Sequence, residues 1–216
     1  MRNRSHAAMC LLLALLVMLT GHGAAAAGQS ALPPEEAMQG YQVVLLGVQG
    51  YLQCGQDGDA SRVAYLSGEF LEWYGFEFDA PLRYEEFCVT DLDADGSPEV
   101  ILKLSEDFGF EALRYEGGRV CGYPFVWRAM EKITASGELH GSNGADDYGW
   151  YQVRFENEMM KTIELCWKHP LENGGYRYLI GENEVTEKDF EALNDSLWEK
   201  AGPDWMAFTP ENIGSY

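Results

Sequence analysis

FCVTDLDADGSPEVILKL, residues 87–104, decides how the chain is read. The runs 86–91 (EFCVTD) and 99–104 (EVILKL) are short, apolar and rich in β-branched residues, which is strand composition. Between them lies a nine-residue loop, 91–99, that carries an acid at its first, third, fifth and ninth positions. Outward from this strand–loop–strand unit the pattern stays extended. FEALRY (110–115) leads through Gly117 and Gly118 into RVCGYPFVW (119–127), a hairpin in which Pro124 favours an edge or a bend. GWYQVRFE (149–156) and MMKTIELCW (159–167) read as a second hairpin about Asn157 and Glu158, and YRYLI (176–180) as a further strand that turns at Gly181. The polar, glycine-rich stretch 139–148 (LHGSNGADDY) reads as a loop.

Helical periodicity flanks this block. After Pro33 and Pro34, the residues Ala37, Tyr41, Val44, Leu45, Val48, Tyr51 and Leu52 recur on one helical face. A second helix is expected over 61–74, with Val63, Leu66, Phe70 and Trp73 on one side and Gly75 as its stop. Near the C-terminus Thr186 and Asp189 have the spacing of a capping box. Phe190, Leu193, Leu197 and Trp198 then form an apolar stripe that Gly202 and Pro203 close, and Thr209-Pro210-Glu211 starts a last helical turn. Helices, then hairpin-linked strands, then a helix predict an α+β fold: a mostly antiparallel β-sheet with N-terminal helices and a C-terminal helix.

The first 26 residues read as a secretory signal peptide. Arg2 and Arg4 precede the apolar run CLLLALLVML (10–19), and the small residues of 24–27 supply a cleavage site. The run falls short of the roughly 20 residues of a membrane span. Cys10 opens it instead of following it, which disfavours a lipoprotein anchor. Residues 27–33 are expected to be a disordered lead-in and 34–216 a single domain, secreted or associated with the cell envelope of a bacterium, with no membrane insertion once the leader is removed. The formal net charge is −20, and removal of Arg2 and Arg4 makes it more negative still. No basic footprint for nucleic acid exists. Cys54, Cys88, Cys121 and Cys166 remain after cleavage, an even number that permits two disulfides in three connectivities, or none. No CxxC pair points to zinc.

The loop DLDADGSPE has the chemistry of a hard-cation site. Calcium takes six to eight oxygens at about 2.3–2.6 Å, and alternate residues in a tight turn converge. Asp91, Asp93 and Asp95 would supply carboxylates, Gly96 the turn, Ser97 its carbonyl, and Glu99 the closing ligand. An EF-hand is excluded, because Leu102 stands where that loop needs its bidentate glutamate and the flanks are strands. The stretch resembles the DxDxDGxxE strand–loop–strand calcium motif of FG-GAP and VCBS-type repeats. With the YEGGRV hairpin and the terminal VTEKDF helix, it also resembles a group of uncharacterised small secreted proteins and lipoproteins of Gram-positive bacteria. That second likeness covers most of the chain from about Tyr41 and carries no activity to transfer. The resemblance implies structural Ca²⁺ held by Asp91, Asp93, Asp95, Ser97 and Glu99. A single copy of the motif excludes a propeller built from such loops within this chain.

Outside the loop, His140 and His169 lack metal-ligand spacing, and neither HExxH nor GxSxG occurs. Asp146, Asp147, Tyr148 and Trp150 make 142–151 the best ligand-binding segment: aromatics beside hydrogen-bonding side chains can stack on a sugar or anchor a protein. Strand alternation gives the competing reading, that Trp150 or Tyr151 enters the core. The expected function is a calcium-stabilised, non-enzymatic extracellular binding or envelope module of unknown ligand. The alternative is an extracellular, glycan-directed hydrolase using carboxylate catalysis.

Overall fold

A computed structural model describes residues 35–54, 62–64, 66, 83–104, 108–126, 128–156 and 158–215. The expected leader and lead-in, together with Phe70, Trp73 and Gly75 of the expected second helix, lie outside the described residues. The elements in chain order are α1 (Glu35–Leu45), β1 (Tyr51–Gln53), β2 (Arg62–Ala64), β3 (Tyr84–Thr90), β4 (Glu99–Leu104), β5 (Gly109–Glu116), β6 (Arg119–Val126), β7 (Lys132–Ile133), β8 (Leu139–Gly144), β9 (Asp147–Glu156), β10 (Met159–Pro170), β11 (Tyr176–Ile180), β12 (Asn183–Val185), α2 (Glu187–Trp198), β13 (Met206–Ala207) and α3 (Pro210–Gly214).

The strands build two sheets, in the orders β13-β3-β4-β5-β6-β1-β2 and β12-β11-β10-β9-β8-β7. Their facing sides enclose one core, in which Cys88, Ile101, Ala112, Tyr123 and Phe125 of the first sheet meet Leu139, Tyr151, Val153, Phe155 and Trp167 of the second. Helix α1 covers the outer face of the first sheet, where Tyr41, Val44 and Leu45 pack with Phe87, Val100, Leu102, Leu113 and Val120. Helix α2 covers the outer face of the second, where Phe190 and Leu197 pack on Trp150 and Cys166. The described residues therefore form a β-sandwich with α1 and the short α3 on one outer side and α2 on the other. This corrects the expectation of an α+β fold with paired N-terminal helices on a mostly antiparallel sheet. A second layer also explains why EVILKL reads as a nearly continuous apolar run: β4 is buried on both faces, with Val100 and Leu102 toward α1 and Ile101 toward the other sheet.

Two helix expectations fail for identifiable reasons. The first helix stops at Leu45 because Gly47 adopts φ +68. Its N–H and that of Val48 bond back to the carbonyls of Val44 and Val43 at 2.9 Å each, the pattern of a Schellman cap. Val48, Tyr51 and Leu52 therefore leave the helix although their spacing matches it, and Tyr51–Gln53 becomes β1. Arg62–Ala64, placed in the second helix by periodicity, is instead β2, antiparallel to β1. The polar stretch 139–148, read as a loop, is largely β8 and the start of β9. Pro124 lies in an interior strand, but β1 pairs with β6 only at Cys121 and Gly122, so the proline sits beyond β1 at a local edge. The β1–β6 pair is parallel, and the other strand pairs among the described residues are antiparallel.

The C-terminal helix forms as expected. Thr186 caps α2 by accepting from the Asp189 N–H, and its hydroxyl donates to the Asp189 carboxylate at 2.6 Å. The shorter acid thus closes on the hydroxyl of the cap. In the body of α2, buried Asn194 accepts from the Trp150 indole N–H at 3.2 Å, joining helix to sheet. Asn194→Ala leaves that buried N–H without its acceptor, and urea denaturation is expected to show a loss of about 1–3 kcal/mol. The loss should shrink in a Trp150→Phe background, where no indole N–H is left to satisfy.

Candidate metal centre

The loop 91–99 sits where the two sheets and α1 meet. Its carboxylates first organise its own backbone. Asp91 accepts from the N–H groups of Asp95 and Gly96 at 3.1 and 2.9 Å. Asp95 accepts from the Ser97 N–H at 2.7 Å. Glu99 reaches back to the Leu92 N–H at 2.9 Å. Ala94 and Gly96 take φ of +56 and +89, so the turn wraps inward as the acid spacing requires. From α1, the Tyr41 hydroxyl donates to the Pro98 carbonyl at 3.2 Å. From the segment between β7 and β8, Gly137 lies so close that a Cβ there would stand 2.6 Å from the Asp91 carbonyl oxygen.

Two arginines tie the loop to the sheets. Arg114 on β5 reaches Glu99 at 2.5 Å, Asp95 at 2.5 Å and Asp93 at 3.4 Å. Arg154 on β9, in the opposite sheet, donates to the Asp93 carbonyl at 2.5 Å, and the Phe155 N–H bonds the Asp93 carboxylate at 3.4 Å. Sequence reasoning missed both arginines. A signal for Arg114 exists: it follows Phe110 and Ala112 on the inward side of the alternation, and a cation facing a core requires a buried counter-charge.

Asp91, Asp93 and Glu99 each place a carboxylate oxygen within 4.8 Å of the others. Such spacing is compatible with three ligands around one ion of calcium's bond lengths. Asp95, a ligand in the expected set, turns one oxygen to Arg114 and the other to the Ser97 N–H. Ser97 contributes that N–H. Asp91, Asp93 and Glu99 could hold a cation, although Asp93 and Glu99, like Asp95, are also engaged by Arg114.

Charge accounts for the electrostatics. Glu99 is fully buried, and burial pushes its carboxyl up to about 8, with Asp93 and Asp95 adding to the rise while the Leu92 N–H and Arg114 oppose it. Burial raises Asp93 also, again against Arg114. Asp95 carries a burial penalty too, but Arg114 and the Ser97 N–H outweigh it and hold the group low. Against its own burial, Arg114 is held still more firmly protonated by Asp95, Glu99 and Asp93. One guanidinium is shared by the three carboxylates of Asp93, Asp95 and Glu99, with that of Asp91 beside them, so the cluster retains an excess of negative charge that a divalent ion would offset.

The segment 146–150 does not gather into one site. Asp147 points to the inter-sheet side, where it accepts from the Trp167 indole at 2.6 Å and lies 3.3 Å from His169. Tyr148 and Trp150 point to the α2 side. Trp150 is fully buried, and Asp146 is paired with Lys168 at 3.5 Å. Tyr151 is buried as well, because both faces of this sheet are covered. Tyr148 lines an open hollow with Arg128, Glu131, His140, Ser142 and Trp198.

No protein family model matches the chain, and no curated protein or solved structure does either.

Arg114→Met, without added metal, leaves Glu99 and Asp93 buried without their cation and is expected to lower stability by about 3–5 kcal/mol in chemical denaturation. Arg114→Lys, which keeps the charge but loses the fork, should fall between the two. Gly137→Ala combines φ +85 with the close approach to Asp91, and a loss of at least about 2 kcal/mol is expected by the same measurement.

Proposed function

We propose that this is an exported, non-enzymatic binding or envelope module whose 91–99 loop takes up calcium as a structural fastener. The observation that carries the metal reading is the convergence of Asp91, Asp93 and Glu99 in a turn where a buried carboxylate is opposed by one arginine. An all-oxygen donor set selects a hard cation, and a loop of carboxylates with backbone carbonyls close by suits the flexible shell of calcium better than the strict octahedron of magnesium. The ion would join β3 to β4 at the point where Arg154 and Phe155 of the other sheet also touch the loop, so its effect is on the sandwich as a whole. Export is supported by the charged, apolar and small-residue order of residues 1–27 and by the strongly acidic composition. Among the described residues no helix is long and apolar enough to cross a membrane.

The test is thermal unfolding of the EDTA-treated protein with calcium, with magnesium and with neither. At a calcium concentration about 100 times Kd, binding adds about 2.7 kcal/mol, a rise of roughly 5–10 °C for a domain of this size. Asp93→Ala should abolish that rise, and calcium should partly restore Arg114→Met by replacing the missing positive charge. A midpoint that calcium and EDTA both leave unmoved would overturn the metal reading and leave Arg114 as the counter-ion of the loop's carboxylates.

A further inference from the structure

Between the C-terminal half of α2 and the β7–β8 edge of the second sheet lies an open hollow of about 380 Å³, within the size range of small-molecule clefts. Its walls come from separate parts of the chain. His140 and Ser142 stand two apart on β8 and face the α2 side with their register partners on β9, Trp150 and Tyr148. Arg128 and Glu131 lie in the segment before β7, and Trp198 ends α2. Glu131 organises the polar side. One of its carboxylate oxygens accepts from the Ser142 hydroxyl at 2.6 Å, and the other lies 3.0 Å from His140 Nδ1. A carboxylate at Nδ1 draws the ring proton there, which leaves Nε2 of the neutral imidazole as a bare acceptor. Burial favours the neutral ring, against the pull of Glu131. His140 is 5% exposed, and its Nε2 is buried with no hydrogen-bond partner among the described residues. An acceptor left in that state is costly unless something donates to it. Aromatic rings frame the same floor: Trp198 lies 4.7 Å from the His140 ring, centroid to centroid, and Tyr148 lies 6.0 Å from it. Trp198 itself stays 41% exposed.

We propose that this hollow is the module's ligand site and that it takes a neutral sugar ring. The inference rests on the reading of the protein as a non-enzymatic binding module and gives that module a ligand class. The Nε2 lone pair of His140 calls for an O–H donor, and so do the oxygen lone pairs of Ser142, whose own proton goes to Glu131. Arg128 on the rim offers N–H donors to the oxygens of such hydroxyls. A hydroxyl is the one group that serves both needs. The exposed ring of Trp198 adds an apolar plate for the C–H face of a pyranose. Charge disfavours other small ligands. Lys132 Nζ lies 4.8 Å over the Trp198 ring and Lys168 Nζ 5.2 Å over that of Tyr148, so a cationic ligand meets rings that already carry cations. An anion would set its lone pairs against that of Nε2 and against the Glu131 carboxylate. None of these residues belongs to the 91–99 loop, so sugar binding does not depend on calcium.

The experiment is saturation-transfer NMR on the whole chain with the methyl glycosides of glucose, galactose, mannose and N-acetylglucosamine, with acetate and tetramethylammonium as controls. At least one glycoside should bind saturably, with transfer from the protein's aromatic protons to the ring C–H protons of the sugar, and neither control should bind. Trp198→Ala should weaken that binding about tenfold, the scale of one lost ring contact. Ser142→Ala should weaken it about three- to tenfold. Asp93→Ala in the loop, and EDTA, should leave it unchanged. Saturable binding of none of the four glycosides, binding of a control alone, or sugar binding indifferent to both hollow variants overturns the proposal. The measurement on the unmutated chain decides the matter even where a variant disturbs α2. Loss of sugar binding leaves the calcium-induced rise in midpoint standing, so the two readings fail separately. Cleavage of a bound glycoside in the same spectra would end the non-enzymatic reading and keep the site, because the sugar must bind before it is cut.

Discussion

The contact on which the rest of this molecule leans is the guanidinium of Arg114 against the carboxylates of Glu99, Asp95 and Asp93. Glu99 begins β4, a central strand, yet its carboxylate is sealed from solvent. A buried acid at the mouth of a central strand is tolerated only with a cation and a backbone N–H to hold it, and Arg114 and Leu92 supply them. Arg114 stands one strand away on β5 and is itself stacked over the Phe155 ring of the opposite sheet, 5.1 Å from its centroid. One side chain thereby ties loop, sheet and facing sheet together.

The loop works as a joint as much as a turn. Tyr41 links it to α1, Gly137 packs under it, and Arg154 reaches it from β9. These contacts come from three separate parts of the chain, and each uses a backbone carbonyl of the loop. The loop can therefore be held in place by groups that compete with no cation for the carboxylates. Arg114 is different, because it bonds the carboxylates themselves and shares their charge with whatever else binds there.

Much of this was legible in the sequence, and the gaps have physical causes. The strands from Tyr84 to Val126 and from Gly149 to Ile180 were readable because each alternates or is continuously apolar between turn residues. The cap at Thr186 was readable because it is local. The sandwich was not, because hairpin-linked strands look the same whether they extend one sheet or begin another, and the passage from β6 to β7 carries no compositional mark. The end of α1 was misplaced because Val48, Tyr51 and Leu52 satisfy a helical spacing that Gly47 overrides through its backbone conformation. Within the loop the acids and the turn were evident, but the diversion of Asp95 to Arg114 depends on a partner 19 residues away in sequence. The dispersal of Asp147, Tyr148 and Trp150 to opposite faces follows from β9 beginning at Asp147, two residues before the strand expected there.

The parallel pairing of β1 with β6 sets an order of events. Strands β3 to β6 form a meander whose contacts close over short spans, whereas Leu52 must wait for Cys121. Helix α1 waits as well, because its Tyr41 hydroxyl accepts from the Tyr115 N–H and its apolar side rests on β4, β5 and β6. Closing so long a chain segment is entropically slow compared with zipping adjacent hairpins. The segment that is synthesised first among the described residues is thus among the last that can dock, and until it does the outer face of the first sheet stands uncovered.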